Sequence, residues 1–153
     1  METNRTEFLE DESATAEFGG RLARAIVAGV KIELQGDLGV GKSSLVRALL
    51  RAKGYGGSVK SPTYSLVESY VIEGVFFHHF DFYRFVSEEE FMEAGLDEYF
   101  SGSAVCLVEW PEKAGQYLPR ADLRITLSYQ GEGRMLQVDA LSSLGEEICR
   151  NVV

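Results

Sequence analysis

Two hydrophobic periods alternate along this chain, and the points where they switch mark its elements. Phe18, Leu22, Ala25 and Ile26 recur at helical spacing. They follow Ser13-Ala-Thr-Ala-Glu17, which reads as a capping box with Thr15 as a competing cap. Gly29 stops this helix. Val30-Lys31-Ile32-Glu33-Leu34-Gln35 then alternates apolar and polar, the period of a half-buried strand. Leu45, Val46, Leu49 and Leu50 return to helical spacing, in a helix that runs to about Lys53 and ends at Gly54-Tyr55-Gly56-Gly57. A strand-like stretch from Ser65 to Val71 meets Val75 to Asp81 across a Glu73-Gly74 hairpin turn. Ser87-Glu88-Glu89-Glu90 is a second capping box, leading into Phe91, Met92 and Ala94. Ala104 to Val108 is continuously apolar, as a strand buried on both faces must be. Arg120 to Ser128 alternates, and Gln130-Gly131-Glu132-Gly133 turns into Met135 to Ala140, a C-terminal β-hairpin. No repeat or low-complexity linker divides the chain. The expected fold is a single α/β domain over residues 1–153, with a mixed, mostly parallel central sheet flanked by helices.

Composition narrows the function classes. A chain of 153 residues suits one domain with a real core. No apolar stretch approaches the roughly 20 residues of a membrane span. The leader METNRTEFLEDES is acidic and has no apolar signal segment, so a cytoplasmic location is expected. Cys106 and Cys149 are isolated, without metal-ligand spacing, and read as reduced cysteines. The net charge of −9 argues against a protein that grips nucleic acid by itself, which needs a basic surface. Arg47, Arg51 and Lys53 are local exceptions in an acidic whole, so any action on nucleic acid runs through a partner.

One segment carries specific chemistry. Between the first alternating strand and the helix after it lies Gly36-Asp37-Leu38-Gly39-Val40-Gly41-Lys42-Ser43-Ser44. A turn can use one or two glycines, but it has no need of a lysine after the last of them, nor of a hydroxyl after the lysine. Gly36-x-x-x-x-Gly41-Lys42-Ser43 is the phosphate-binding loop pattern, and chance would place it in only about one in a few hundred chains of this length. The backbone N–H groups and the helix N-terminus would face the phosphates. Lys42 would reach the β/γ-phosphates, and the Ser43 hydroxyl would ligate Mg²⁺. Asp37 is expected to face outward, since a carboxylate pointing inward would repel phosphate.

Such a loop also needs an acid for the metal shell and a group that senses the γ-phosphate. Glu109 ends the buried run Val105-Cys106-Leu107-Val108, and Asp81 ends His79-Phe80-Asp81. One carboxylate could support Mg²⁺ while the other orients water, and spacing alone leaves the assignment open. His78 and His79 lack further metal ligands and read as ordinary strand residues. Thr63, in Ser61-Pro62-Thr63-Tyr64, is either a turn residue or part of a γ-phosphate-sensing switch. Trp110 is either core filler or a border of the nucleotide pocket.

Taken together, GDLGVGKSS, SPTYSLVESY, FHHFDFYRF, Glu93-Ala94-Gly95-Leu96-Asp97-Glu98-Tyr99-Phe100 and VCLVEWPEKAG, in this order, resemble one family over nearly the whole chain. It is the bacterial TsaE (YjeE) ATPase family of tRNA threonylcarbamoyladenosine biosynthesis. The resemblance implies an accessory ATPase, with ATP and Mg²⁺ bound by the loop. Its implied role is to reset a TsaB–TsaD transferase between turnovers, and that complex, not the ATPase, holds the tRNA. It further implies that Lys42 and Ser43 bind phosphate and metal, that Thr63 belongs to a switch loop, that Asp81 and Glu109 support hydrolysis, and that Trp110 lies beside the site. Val40 and Ser43-Ser44 stand where the family more often has alanine and Thr-Thr; serine keeps the metal-binding hydroxyl. The rival readings are a small P-loop kinase acting on a metabolite or nucleoside, with Arg84, Arg120 and Arg124 as lid residues, and a nucleotide-gated binding module. A guanine-reading Asn/Thr-Lys-x-Asp segment is missing from the sequence, which disfavours a GTPase.

Overall fold

The computed structural model describes residues 4–152. Met1, Glu2 and Thr3 of the acidic leader lie outside the described residues. In chain order the elements are β1 (Asn4–Leu9), α1 (Glu12–Ala25), β2 (Lys31–Gln35), α2 (Lys42–Ala52), β3 (Val67–Ile72), β4 (Val75–Asp81), α3 (Glu89–Glu93), β5 (Val105–Glu109), β6 (Leu123–Gln130), β7 (Gly133–Ala140) and α4 (Ser143–Asn151). Short 3₁₀ turns cover Leu96–Phe100, Pro111–Lys113 and Gly115–Tyr117.

All seven strands form one sheet in the order β1-β7-β6-β2-β5-β4-β3. The middle strands β6, β2, β5 and β4 are mutually parallel. The pairs β6–β7, β7–β1 and β4–β3 are antiparallel, so five strands point one way and two the other. The mixed, mostly parallel α/β architecture is therefore as the sequence predicts. β5 has a strand on each side and is buried at every position, which explains its unbroken apolar run.

Two cores sit on opposite faces. Phe18 and Leu22 of α1 and Leu45 and Leu49 of α2 cover Ile32, Leu34, Phe77, Val105 and Leu107. At Gly19 the helices approach so closely that a Cβ would stand 2.7 Å from the Ala48 Cβ. The other face, over β4 and β5, carries an aromatic core: Phe80 stacks on Phe100 at 4.8 Å and Phe82 on Phe85 at 4.7 Å.

Several boundaries differ from the sequence reading. α1 is capped by Asp11, whose Oδ1 accepts from the Ala14 N–H at 3.0 Å, and Ser13 lies inside the helix. The Asp11 backbone is extended, the conformation a cap requires, so it wins over the serine two residues on, which is already helical. The second capping box is half realised, with the Glu90 carboxylate accepting from the Ser87 N–H at 3.0 Å. The β6–β7 hairpin forms, but it lies inside the sheet: β7 goes on to pair with β1. β1 and α4 were not anticipated. The inward positions of β1 are Arg5, Glu7 and Leu9, so the strand lacks an apolar period, and Glu7 pairs with Arg21 of α1. α4 is seated by Ser142, which accepts from the Gly145 N–H at 3.0 Å and donates to Asp122 at 2.7 Å.

Candidate functional site

Parallel strands deliver their C-terminal ends to one edge, and three adjacent ends here carry chemistry. In register, Leu34 of β2 stands opposite Glu109 of β5, and Glu109 stands opposite Asp81 of β4. β2 then runs directly into the glycine-rich loop. Side chains alternate across a sheet, so Glu109 shares a face with Val105 and Leu107, and Asp81 shares one with His79 and Phe77. Phe77, Val105 and Leu107 belong to the core beneath α1 and α2. Both carboxylates therefore lie on the α2 side, where the loop ends.

The loop geometry depends on its glycines. Gly36 (φ +146°) and Gly41 (φ +118°) hold backbone conformations that L-residues rarely adopt. A Cβ at Gly36 would also lie 2.5 Å from the Leu127 carbonyl oxygen and 2.8 Å from Val40 Cγ1. Gly36→Ala is expected to cost about 1–3 kcal/mol of stability, because both the backbone angle and the close approach oppose it; urea denaturation measures this. α2 begins after Gly41 without a side-chain cap, which leaves its N-terminus suited to an anion. Asp37 and Leu38 are both exposed, and Asp37 is close enough to Lys42 to favour its charge. Val40 is buried in the core, and Arg134 of β7 donates from Nε to its carbonyl at 2.8 Å.

The side chains converge on a cleft of about 210 Å³ lined by Lys42, Ser43, Thr63, Asp81, Glu109 and Trp110 together with Leu38, Gly39, Gly41 and Ser44. Lys42 is only 4% exposed. Its ammonium donates to the Gly36 carbonyl at 2.5 Å and lies 3.9 Å from the centre of the Trp110 ring. Burial lowers the Lys42 pKa below that of an ordinary lysine, against the opposing pull of Glu109 and Asp81. Trp110 is half-buried with a left-handed backbone (φ +58°), and its ring lies 5.0 Å from that of Tyr83. It borders the loop as well as packing on the aromatic core.

Glu109 is the hub of the polar network. Its Oε2 accepts from the Ser43 hydroxyl at 2.9 Å and lies 2.6 Å from Nε2 of His79. Burial pushes this carboxyl upward, but the His79 and Ser43 hydrogen bonds and the Lys42 charge outweigh it, leaving Glu109 below the ordinary glutamate range. Asp81 moves the other way: burial raises it, Glu109 adds to the rise, and the Tyr83 N–H bonded to Oδ1 at 2.9 Å opposes it. The two neighbouring carboxyls are thus shifted in opposite directions.

Thr63 is half-buried, its hydroxyl 2.6 Å from that of Ser61. Its loop is tied to the site through Leu66, which donates to the Pro62 carbonyl at 2.8 Å and accepts from the Asp81 N–H at 3.1 Å. A second cleft of about 160 Å³ shares Gly39, Gly41 and Ser44 with the first and extends past Leu9, Asp11, Thr15 and Arg134. A further cleft of about 310 Å³, beside Val27, Lys53 and Glu73, lies at the opposite end of the sheet from the motif residues. Among the described residues no group of three or more His, Cys, Asp and Glu could hold a metal by itself. The Cys106 thiol, pushed up to about 12 by burial, is unreactive.

Sequence reasoning reads His79 as an ordinary strand residue, although it lies two residues before Asp81 and so on the same strand face; the structure places it against Glu109. Sequence reasoning also passed over Arg134 and the second cleft, for which no local motif exists.

The model for the family described as "Threonylcarbamoyl adenosine biosynthesis protein TsaE" matches residues 9–136. Proteins named tRNA threonylcarbamoyladenosine biosynthesis protein TsaE are among the relatives. The one from Haemophilus influenzae is 38% identical over 94% of each chain. The one from Bacillus subtilis is 32% identical over 97% of this chain and 91% of its own. The crystal structure of Bacillus subtilis YdiB superposes with a TM-score of 0.84 at 26% identity, covering 99% of this chain and 95% of that one. The loop, the strand-end acids and the relatives' near-complete coverage agree, and the chain belongs to the TsaE family of tRNA threonylcarbamoyladenosine biosynthesis proteins.

Proposed function

We propose that this protein binds ATP with Mg²⁺, hydrolyses it, and uses the cycle to reset a TsaB–TsaD type transferase that carries the tRNA. The observation that supports this most is the 2.9 Å hydrogen bond from the Ser43 hydroxyl to Glu109 at the head of α2. A serine in that position can offer its oxygen lone pair to a metal while its O–H still donates to the carboxylate. Hard oxygen donors, few in number, suit a cation that completes its shell with phosphate and water. Ser43 and Glu109 would therefore hold Mg²⁺, whose chemistry is to neutralise charge on the β- and γ-phosphates.

The remaining roles follow from placement. Lys42 would exchange its contacts with the Gly36 carbonyl and Trp110 for phosphate oxygens. The loop N–H groups and the α2 N-terminus would cradle the same phosphates. Asp81, held by the Tyr83 N–H and raised in proton affinity, is the carboxylate left to orient the attacking water. The second cleft offers room for the nucleoside, beside Asp11, Thr15 and Arg134. No helix among the described residues is long and apolar enough to cross a membrane. The net charge of −9 agrees with a protein that meets tRNA only through its partner.

The kinase reading finds little support. Arg120 donates to the Leu141 carbonyl at 2.9 Å, Arg124 pairs with Glu33 at 3.2 Å, and the Arg84 guanidinium lies over the Tyr64 ring at 4.3 Å. Following the fate of labelled γ-phosphate with and without small-molecule acceptors tests the reading. Release as free phosphate is expected; a phosphorylated metabolite would establish the kinase.

Thr63 is the candidate γ-phosphate sensor, because its loop is hydrogen-bonded to the strand end that carries Asp81. A ligand shifts an assembly only through different affinities for its two states. Thr63→Ala is expected to shrink the ATP-versus-ADP difference in TsaB–TsaD affinity more than it weakens nucleotide binding. Partner titrations in ADP and in a non-hydrolysable ATP analogue measure both. An undiminished difference would make Thr63 a turn residue only.

A further inference from the structure

The mechanism above makes no use of His79, yet this residue is buried in the middle of the site's polar network. It is 2% exposed, and Glu109 is 3% exposed. Its Nε2 lies 2.6 Å from Glu109 Oε2, the same oxygen that accepts the Ser43 hydroxyl at 2.9 Å. An ionised carboxylate can only accept, so Nε2 carries the hydrogen of this bond. Nδ1, across the ring, is buried and without a hydrogen-bond partner. A histidine that served only to knit strands together would gain from using both nitrogens. His79 has one polar attachment, and it ends on Glu109.

We propose that His79 is a positioning residue, whose Nε2–H holds Glu109 with Oε2 turned to Ser43, so that the magnesium-binding oxygens are set before nucleotide arrives. This deepens the reading of Ser43 and Glu109 as the metal end of a nucleotide site and rests on it. Groups that orient metal ligands without touching the metal commonly govern affinity by 10- to 100-fold on the order-of-magnitude scale. Glu109 has few alternatives for this restraint, since its other close partner, Ser43, lies at the exposed head of α2.

Two substitutions separate positioning from space-filling. His79→Leu keeps apolar bulk and removes the donor, while His79→Gln places an amide N–H at about the reach of Nε2. Mg²⁺ is titrated calorimetrically into each folded protein saturated with a non-hydrolysable ATP analogue, and analogue affinity is also measured in chelator. His79→Leu is expected to raise the half-saturating Mg²⁺ concentration roughly tenfold or more, with metal-free analogue affinity unchanged, and His79→Gln to recover most of the loss. A second readout needs no nucleotide: ¹⁵N-histidine spectra should show Nε2 protonated, with a downfield proton that moves in Glu109→Gln. An Nδ1–H tautomer, a His79→Leu protein with wild-type Mg²⁺ dependence, or a His79→Gln protein as impaired as His79→Leu overturns the proposal. A wild-type protein that takes up no Mg²⁺ with the analogue overturns the nucleotide reading and this proposal together, and the wild-type titration tells the two failures apart.

Discussion

Lys42→Ala is expected to weaken Mg-ATP binding by roughly 30- to 1000-fold, the effect of removing about 2–4 kcal/mol of a desolvated charge contact. The fold should survive. Lys42 is 4% exposed, and burial already works against its charge, so alanine removes an ammonium that the interior disfavours. What the protein loses is the group that, from beside Gly36 and Trp110, can reach the β/γ-phosphates. Calorimetric titration of both proteins with ATP measures the affinity, and circular dichroism checks the fold. Trp110 supplies an independent probe: it is the only tryptophan, and the Lys42 ammonium lies 3.9 Å from its ring. Nucleotide that draws Lys42 away should change its fluorescence, and Lys42→Ala should abolish that response at concentrations that saturate the wild type. Equal ATP affinities would remove the phosphate-loop assignment.

The second large effect concerns the acids. Glu109→Gln is expected to lower hydrolysis by 10² or more, on the order of magnitude of lost electrostatic stabilisation at a reacting centre, while retaining much of the nucleotide affinity. The amide has nearly the shape of the carboxylate, so Ser43 and His79, which lie 2.9 and 2.6 Å from Oε2, keep an acceptor, but the negative charge proposed to face Mg²⁺ is gone. Asp81→Asn should also slow hydrolysis, with one difference: its loss should be insensitive to added Mg²⁺, whereas excess Mg²⁺ should partly restore Glu109→Gln. Single-turnover hydrolysis at saturating ATP over a range of Mg²⁺ concentrations distinguishes the two roles. Normal hydrolysis by either variant would make that carboxylate structural.

How much of this was legible in the sequence differs from element to element. The loop and its flanking strand and helix were plain, because the spacing of Gly36, Gly41, Lys42 and Ser43 is local. β5 was equally plain, since burial on both faces leaves an unbroken apolar run. Placing Glu109 and Asp81 at strand ends put them in adjacent register, as the parallel pairing of β5 and β4 shows. Which acid meets Ser43 was not legible, because that depends on how the head of α2 sits over β5. β1 was hidden because its inward face carries Arg5 and Glu7, satisfied in part by an ion pair to a helix that sequence spacing does not bring near. α4 is different: Leu144, Ile148 and Cys149 recur at helical spacing behind the Ser142 cap, so a local signal was present and went unread. His79 was within reach of the i, i+2 rule that links it to Asp81, but its bond to Glu109 joins two strands and appears only in three dimensions.

If, as proposed, an ATP cycle on this protein resets the transferase without supplying its chemistry, the protein matters only after the first turnover. The most direct measurement is threonylcarbamoyladenosine formed on tRNA per TsaB–TsaD complex, over one turnover and over many, with and without this protein. First-turnover formation is expected to be independent of it. Continued turnover should require wild-type protein and ATP, and should fail with Lys42→Ala. Sustained multiple turnover in its absence, or full support by Lys42→Ala, would contradict the reset role.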